Sequence, residues 1–338
     1  MDISKYPLNK LKERIEFSNF ILITTHVNPD GDAIGASLAL MNILKEANKN
    51  VALITPNEMS FFLKWMKSAD EVIDYEKQKV HSEEIIAKAD LIFYVDFNDT
   101  GRLGKAQKSF NSSSAYKVLI DHHPDPDDSA DLIISETSSG SAAELVYELI
   151  KNLSYSKLMN KDIAECIYAG IMTDTGNFSF ACSYPEVWKN MAELIEYGID
   201  KNRVSANIYD NYSESRMRLM GFCLNEKMKI IPEFNSSCIC LSLKEMEDHN
   251  HQPGDTEGFV NLPFSIRGIK FSVLLLEKES NIKLSLRSRG DFDVNEMARK
   301  HFKGGGHTNA AGGELSKPIE NAMERLIEVL KEYKEDLQ

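Results

Sequence analysis

The residues best suited to chemistry lie in the first half of the chain. The run Thr25-His26-Val27-Asn28-Pro29-Asp30-Gly31-Asp32-Ala33 places one imidazole and two carboxylates in a single turn, shaped by Pro29 and Gly31. Two aspartates two residues apart repel each other unless a cation lies between them. A helix N-cap needs only one of them and accounts for neither His26 nor the second carboxylate. Three further segments offer the same donor types. Asp96 ends LIFYV, Asp121-His122-His123 ends KVLI with Pro124 stopping the run, and Asp174 ends IMTD before the breaker Gly176. Each alone reads as a turn or cap residue. As a set of oxygen and imidazole donors without cysteine they suit Mn²⁺, Mg²⁺, Fe²⁺ or Zn²⁺. The set is too large for one ion that must also take water and substrate. Two ions about 3.5–4 Å apart would clamp the attacking and leaving oxygens of an in-line displacement.

The elements that must position these groups are legible around them. FILITT (20–25), VALIT (51–55), LIFYVD (91–96), KVLID (117–121) and DLIIS (131–135) are apolar throughout, and helical patterns such as 32–47 and EEIIAKA separate them. That alternation predicts a parallel sheet covered on both faces. The chemistry-bearing residues then fall at the carboxyl ends of strands, where ligands bind in open α/β folds. Helices are expected over 139–153 and 161–175. Past Phe180 the pattern changes to helices over 185–197 and roughly 202–222. The strand-like MKIIP, SCICLSL, IKFSVLLLE and IKLSLRS follow, then the helical VNEMARKHF and a last helix over 318–333. The expected fold class is α/β. A doubly wound, mainly parallel domain over 1–184 joins, through a helical connector over 185–225, a smaller α+β domain over 226–338, with the active site in the cleft between them.

A second constellation lies in that smaller domain. Gly304-Gly305-Gly306-His307-Thr308-Asn309-Ala310-Ala311-Gly312-Gly313 would let backbone N–H groups approach a phosphate with no Cβ in the way. A glycine run alone also fits a flexible linker, but here Arg287-Ser288-Arg289 precedes it. Between Lys283 and Lys303 six basic residues (Lys283, Arg287, Arg289, Arg299, Lys300, Lys303) stand against three acidic ones, in a chain of net charge −13. Arginine suits bidentate phosphate contacts. The overall charge disfavours long nucleic acid, whose binding rests on many basic contacts, and leaves a small anionic substrate open. The five cysteines (Cys166, Cys182, Cys223, Cys238, Cys240) are an odd number and read as reduced, buried thiols. The charged first twenty residues lack a signal peptide's apolar core, and no run approaches the ~18 apolar residues of a membrane span. A soluble, cytoplasmic protein without a membrane partner is expected.

Together these segments resemble the DHH phosphoesterase superfamily, named for the triad that stands here as Asp121-His122-His123. HVNPDGDAIGAS (26–37) is similar to its first motif, Asp96 to its second and Asp174 in MTDTG to its fourth. RSRGDFDVNEMARKHFKGGGHTNAAG (287–312) is similar to the DHH-associated C-terminal domain. The resemblance spans nearly the whole chain and is strongest to the bacterial nanoRNase branch, which cleaves very short RNA and 3′-phosphoadenosine 5′-phosphate. It implies two divalent ions, foremost Mn²⁺. His26, Asp30 and Asp96 would hold one, and Asp32, Asp96, His122 and Asp174 the other, with Asp96 shared. It further implies that Asp121 orients His122, that His123 faces the reacting phosphate, and that Arg287, Gly305, Gly306 and His307 grip a substrate phosphate. The implied partners are short RNA oligonucleotides and small phosphorylated nucleotides, not long duplexes; a homodimer is left open. The competing readings are a cyclic or linear di-adenylate phosphodiesterase, an exopolyphosphatase, and a nucleotide-binding regulator without turnover.

Overall fold

The apolar runs of the first half assemble into one six-stranded parallel sheet. The computed structural model describes residues 3–338; Met1 and Asp2, the start of the charged N-terminal stretch, lie outside them. The chain divides into two compact units, Met1–Asn211 and Tyr212–Gln338. In the first, the strands are β1 (Ile21–Thr24), β2 (Val51–Thr55), β3 (Ile73–Asp74), β4 (Leu91–Val95), β5 (Tyr116–Asp121) and β6 (Leu132–Ser135). Their order is β3-β2-β1-β4-β5-β6, every pair parallel. The chain winds outward from β1 and then returns to start β4 on its other side, so the switch point lies between β1 and β4. Ligands of open α/β sheets bind at that crevice.

The helices of this unit are α1 (Leu8–Phe17), α2 (Gly31–Glu46), α3 (Lys79–Lys88), α4 (Gln107–Asn111), α5 (Ala142–Asn152), α6 (Lys161–Asp174), α7 (Pro185–Glu196) and α8 (Lys201–Tyr209). Strand side chains alternate between two buried layers. Ile21, Ile23, Phe93 and Ile120 pack with α1, α2 and α5 to α8. Leu22, Ile92, Tyr94 and Leu119 pack on the other face with Ile86 of α3 and Phe110 of α4. Burial on both faces is why these strands are apolar throughout. Close approach of α2 and α6 needs glycine: a Cβ on Gly35 would lie 2.6 Å from the Cys166 carbonyl oxygen.

The second unit has α9 (Glu214–Phe222), β7 (Met228–Ile231), β8 (Ser236–Leu241), α10 (Leu243–Asp248), β9 (Phe271–Glu277), β10 (Ile282–Ser288), α11 (Val294–His301), β11 (Gly305–His307), β12 (Ala310–Leu315), α12 (Ala322–Glu332) and α13 (Lys334–Leu337). Its sheet runs β11-β12-β10-β9-β8-β7, antiparallel except for the β8–β9 pair. One face packs on α11 and α12, the other on α9 and the segment around Phe259.

Two expectations change. The helix expected over 202–222 breaks after Tyr209, and Ser213 caps a new helix by accepting the Arg216 N–H at 3.0 Å; the division between units falls in that break. The glycine-rich run, which by composition also fits a flexible linker, forms a β-hairpin, β11–β12. A Cβ on Gly304 would overlap the Gly312 carbonyl oxygen, so this glycine serves close strand approach.

Candidate metal centre and active site

β1 and β4, neighbours at the switch point, each deliver a candidate metal ligand. Past β1, His26 is buried with Nδ1 2.9 Å from the Val27 carbonyl oxygen. That contact puts the proton on Nδ1 and leaves the Nε2 lone pair turned inward, 3.4 Å from Asp96 Oδ2 and 4.0 Å from Asp30 Oδ2. Asp30 is the N-cap of α2, with Oδ1 accepting the N–H groups of Asp32 and Ala33 at 3.0 Å each. Its other oxygen faces His26, so one carboxylate both caps the helix and points at the site. Asp96 follows β4 with φ +64°, a left-handed conformation for a residue with a side chain. Aspartate tolerates that region better than most, and such strain concentrates at functional sites. The backbone stays laddered, its N–H donating to the Ile120 carbonyl at 2.9 Å, while the side chain turns inward between two imidazoles.

β5 supplies the triad. Asp121 Oδ1 lies 2.7 Å from His123 Nδ1, and Oδ2 accepts the His123 N–H at 3.1 Å. Asp121 thus orients His123, where the resemblance implies that it orients His122. His122 takes its orientation from the Ser139 carbonyl, 3.3 Å from its Nδ1. This turns His122 Nε2 toward three carboxylates: Asp96 Oδ1 and Asp174 Oδ2 at 3.4 Å, and Asp32 Oδ2 at 3.8 Å. Asp32 is fixed by the N-terminus of α5, whose Ala142 and Ala143 N–H groups donate to its two oxygens at 2.6 and 2.8 Å. Helix N-termini favour such an anion.

Behind that terminus stands a buried polar network. Glu144 accepts from Ser139 Oγ at 3.2 Å, from the Gly140 N–H at 3.3 Å, from Asn190 Nδ2 at 3.1 Å and from the Tyr184 hydroxyl. It holds the 139–141 turn that serves both His122 and Asp32.

The ligand atoms of His26, Asp30 and Asp96 lie within 4.8 Å of one another, and so do those of Asp32, His122 and Asp174. Asp96 reaches both groups through its two oxygens. Two buried atoms at the centre, His26 Nε2 and Asp96 Oδ1, have no hydrogen-bond partner among the described residues. Buried polar atoms are rarely left so, and a pair of divalent cations would satisfy both. The electrostatics agree. Burial opposes charge on His122, but Asp174, Asp96 and Asp32 push its pKa well above the ordinary value. Burial, followed by the charges of Asp96 and Asp174, raises Asp32 well above the carboxylate range. Burial also opposes ionisation of Asp96, yet His122 and His26 hold it well below that range. The pocket demands positive charge, which a metal supplies better than a proton.

In the second unit, Arg287, Ala310 and His307 form one cross-strand row, so Arg287 and His307 share a sheet face with a small residue between them. The Gly306 N–H donates to Asn295 Oδ1 at 2.9 Å. The five cysteines are unpaired, and burial pushes the thiols of Cys166 and Cys223 up to about 12, far from reactivity. No helix among the described residues is long and apolar enough to cross a membrane. Sequence reasoning missed Arg102, whose Nη1 lies 3.2 Å from His123 Nε2. Its sole signal was a basic residue six past Asp96 in a loop. It also missed Glu144 and Tyr184, which read as ordinary helix and loop residues.

Comparison with known proteins adds a second line of evidence. Residues 20–171 match the DHH family, N-terminal domain, and residues 235–336 match the DHHA1 domain. The chain is 31% identical, over 92% of its length and 89% of the relative's, to the bifunctional oligoribonuclease and PAP phosphatase NrnA of Thermus thermophilus. It belongs to the DHH phosphoesterase family. The Bacillus subtilis protein of the same description is 29% identical over 90% of this chain and 92% of that one. The crystal structure of an exopolyphosphatase-related protein from Bacteroides fragilis matches with a TM-score of 0.93 at 39% identity, covering 98% of this chain and 97% of that one. Membership of this family makes the chain a metal-dependent hydrolase of phosphoester bonds. The acidic and histidine ligand groups are the part of the DHH unit that fits that chemistry.

Proposed function

We propose that this phosphoesterase works with two Mn²⁺ ions on short oligoribonucleotides and on 3′-phosphoadenosine 5′-phosphate. The observation that carries the metal reading is Asp96, one carboxylate with an oxygen 3.4 Å from each of two imidazoles. In this proposal His26, Asp30 and Asp96 hold one ion, and Asp32, Asp96, His122 and Asp174 hold the other. Bound there, divalent ions would supply polarisation of a phosphoryl oxygen and activation of water for in-line displacement. The chain's own residues do the rest. The α5 N-terminus keeps Asp32 aimed through the Ala142 and Ala143 N–H groups. Asp121 keeps the proton on His123 Nδ1, leaving Nε2 to meet the reacting group. Arg287, Gly305, Gly306 and His307 take a phosphate that does not react, which favours short substrates cleaved from one end. The five unpaired cysteines fit a reducing compartment, and we place the enzyme in the cytoplasm.

The relatives described as oligoribonuclease and PAP phosphatase support this substrate class. The Bacteroides fragilis protein's description favours a second reading, an exopolyphosphatase. A panel with Mn²⁺ separates them: 3′-phosphoadenosine 5′-phosphate, an RNA dimer, an RNA pentamer, a several-fold longer RNA, linear di-adenylate and short-chain polyphosphate. The expected order has the nucleotide and the short RNAs fastest. Equal rates on long and short RNA would remove the length preference, and fastest release from polyphosphate would move the assignment to the second reading.

A further inference from the structure

The guanidinium of Arg102 reaches the cluster of carboxylates and imidazoles. Arg102 lies in the 3₁₀-helical segment Thr100–Ala106 after β4, and its backbone is held on several sides. Asp99 accepts the Gly101 N–H at 2.6 Å, the Thr100 N–H donates to Asp127 at 2.9 Å, and the Arg102 carbonyl accepts the Val27 N–H at 2.7 Å. The last bond ties Arg102 to the turn that carries His26. Its guanidinium donates from Nη1 to His123 Nε2 at 3.2 Å, while Asp121 occupies His123 Nδ1 at 2.7 Å. A carboxylate on one nitrogen and a cation on the other fix the ring as the neutral Nδ1–H tautomer.

Arg102 therefore gives one of its five donors to a neutral acceptor. No carboxylate among the described residues lies within 4.0 Å of it, although Asp96 and Asp121 are the neighbours of the ring it touches. An arginine beside so many carboxylates that pairs with none of them is oriented for an anion arriving from outside. A phosphate oxygen would be a better acceptor than the ring nitrogen, since charge-assisted hydrogen bonds are roughly twice as strong as neutral ones.

We propose that Arg102 is a catalytic residue that binds a non-bridging oxygen of the scissile phosphate, leaving His123 as the substrate enters. This rests on the phosphoesterase reading of the site. Release of Arg102 also takes its guanidinium off His123 Nε2, the ring atom proposed to meet the reacting group. The cation and the imidazole would then hold two points of one phosphate, fixing its orientation for displacement.

The test uses the full chain with Mn²⁺ and the variants Arg102→Ala and Arg102→Lys. For Arg102→Ala, kcat/KM on 3′-phosphoadenosine 5′-phosphate and on an RNA dimer falls about 10–100-fold, the loss of one charge-assisted bond. Arg102→Lys, with the charge but not the fork, falls between. Affinity for inorganic phosphate, measured by calorimetry on the Mn²⁺-loaded protein, weakens by a similar factor while Mn²⁺ affinity holds. Guanidinium chloride restores part of the alanine variant's rate, and sodium chloride at the same ionic strength does not. Rates within about twofold of the parent, unchanged phosphate affinity, or a loss of Mn²⁺ affinity matching the loss of rate would each overturn the proposal. A parent protein that binds Mn²⁺ but turns over neither substrate would sink the substrate assignment instead, and the phosphate-affinity comparison would still decide the role of Arg102.

Discussion

Replacing Gly170 with alanine sets two physical effects against each other at the metal centre. Gly170 lies inside α6, where helix propensity alone predicts that alanine stabilises by about 0.8–1.0 kcal/mol. The surroundings predict the reverse. A Cβ there would lie 2.5 Å from the Ala143 Cβ, 3.0 Å from Asp32 Oδ1 and 3.5 Å from the Asp32 Cα. None of these can swing aside. Ala143 is in the first turn of α5, and Asp32 is held by that turn at 2.6 and 2.8 Å. Overpacking of this kind costs about 1–3 kcal/mol, so the net loss is about 0–2 kcal/mol. For a unit of this size that is a fall of up to about 8 °C in melting temperature. The strain falls on a proposed ligand, so the stabilisation by Mn²⁺ should shrink as well. A tenfold loss of metal affinity removes about 1.4 kcal/mol of it at saturating metal. Calorimetric melts with and without Mn²⁺ measure both quantities. Gly221→Ala in α9 is the control, because a Cβ there meets nothing within 4 Å, and it should be neutral or stabilising. A Gly170→Ala protein that melts higher than the parent and keeps the full Mn²⁺ increment would refute this account of how α5 and α6 aim Asp32.

Asp96→Ala should abolish turnover while the protein stays folded, since the carboxylate shared by both ligand groups is lost; near-normal activity at saturating Mn²⁺ would remove the shared-carboxylate assignment. Arg287→Ala should act mainly on KM and on discrimination between substrates, and a change confined to kcat would place Arg287 at the transition state instead. The metal-free protein should lose stability as pH rises. Burial and the Asp96 charge raise Asp121 to about 7, above its value of 3.8 unfolded. The stability this gives is complete below pH 3.8 and is lost as pH climbs through about 7. The raised pKa of His122 acts in the same direction at higher pH. Mn²⁺ should reverse the slope, because its ligands must be deprotonated to bind; melts over pH 5–9 with parallel slopes with and without metal would contradict this.

The first unit was legible because its signals are redundant. Strands buried on both faces must be apolar throughout, and the groups that do chemistry had to fall at their carboxyl ends. His26, Asp30, Asp32, Asp96, His122 and Asp174 were therefore readable as donors before any coordinates existed. The glycine hairpin was not. Glycine is depleted in strands, so Gly304 to Gly313 reads as loop by composition, and only the Gly304–Gly312 approach shows that absent side chains admit a neighbouring strand. The break after Tyr209 was hidden for a similar reason: Ser213 caps a helix where the chain passes from one unit to the next, and nothing local in this Asn-, Tyr- and Ser-rich stretch separates a turn from a helix interior.

What stayed hidden in the site is the machinery that aims the ligands. Asp32 was recognised as a carboxylate in a suitable turn, but the donors that orient it belong to Ala142 and Ala143, 110 and 111 residues away. Backbone amides leave no mark on residue type. The same holds for the Ser139 carbonyl that turns His122. Glu144 and Tyr184 carry polar side chains, yet both have ordinary alternatives on a helix and before one. The partner of Asp121 shows the limit most clearly. Asp-His-His permits the carboxylate to orient either histidine, and the choice depends on where the Ser139 carbonyl points. Residue types at strand ends therefore state which groups can bind metal, while the hydrogen bonds from α5 and its N-terminal turn decide which way each group faces. Perturbing that turn should change metal affinity without removing a single ligand, which is the distinction the Gly170→Ala measurement draws.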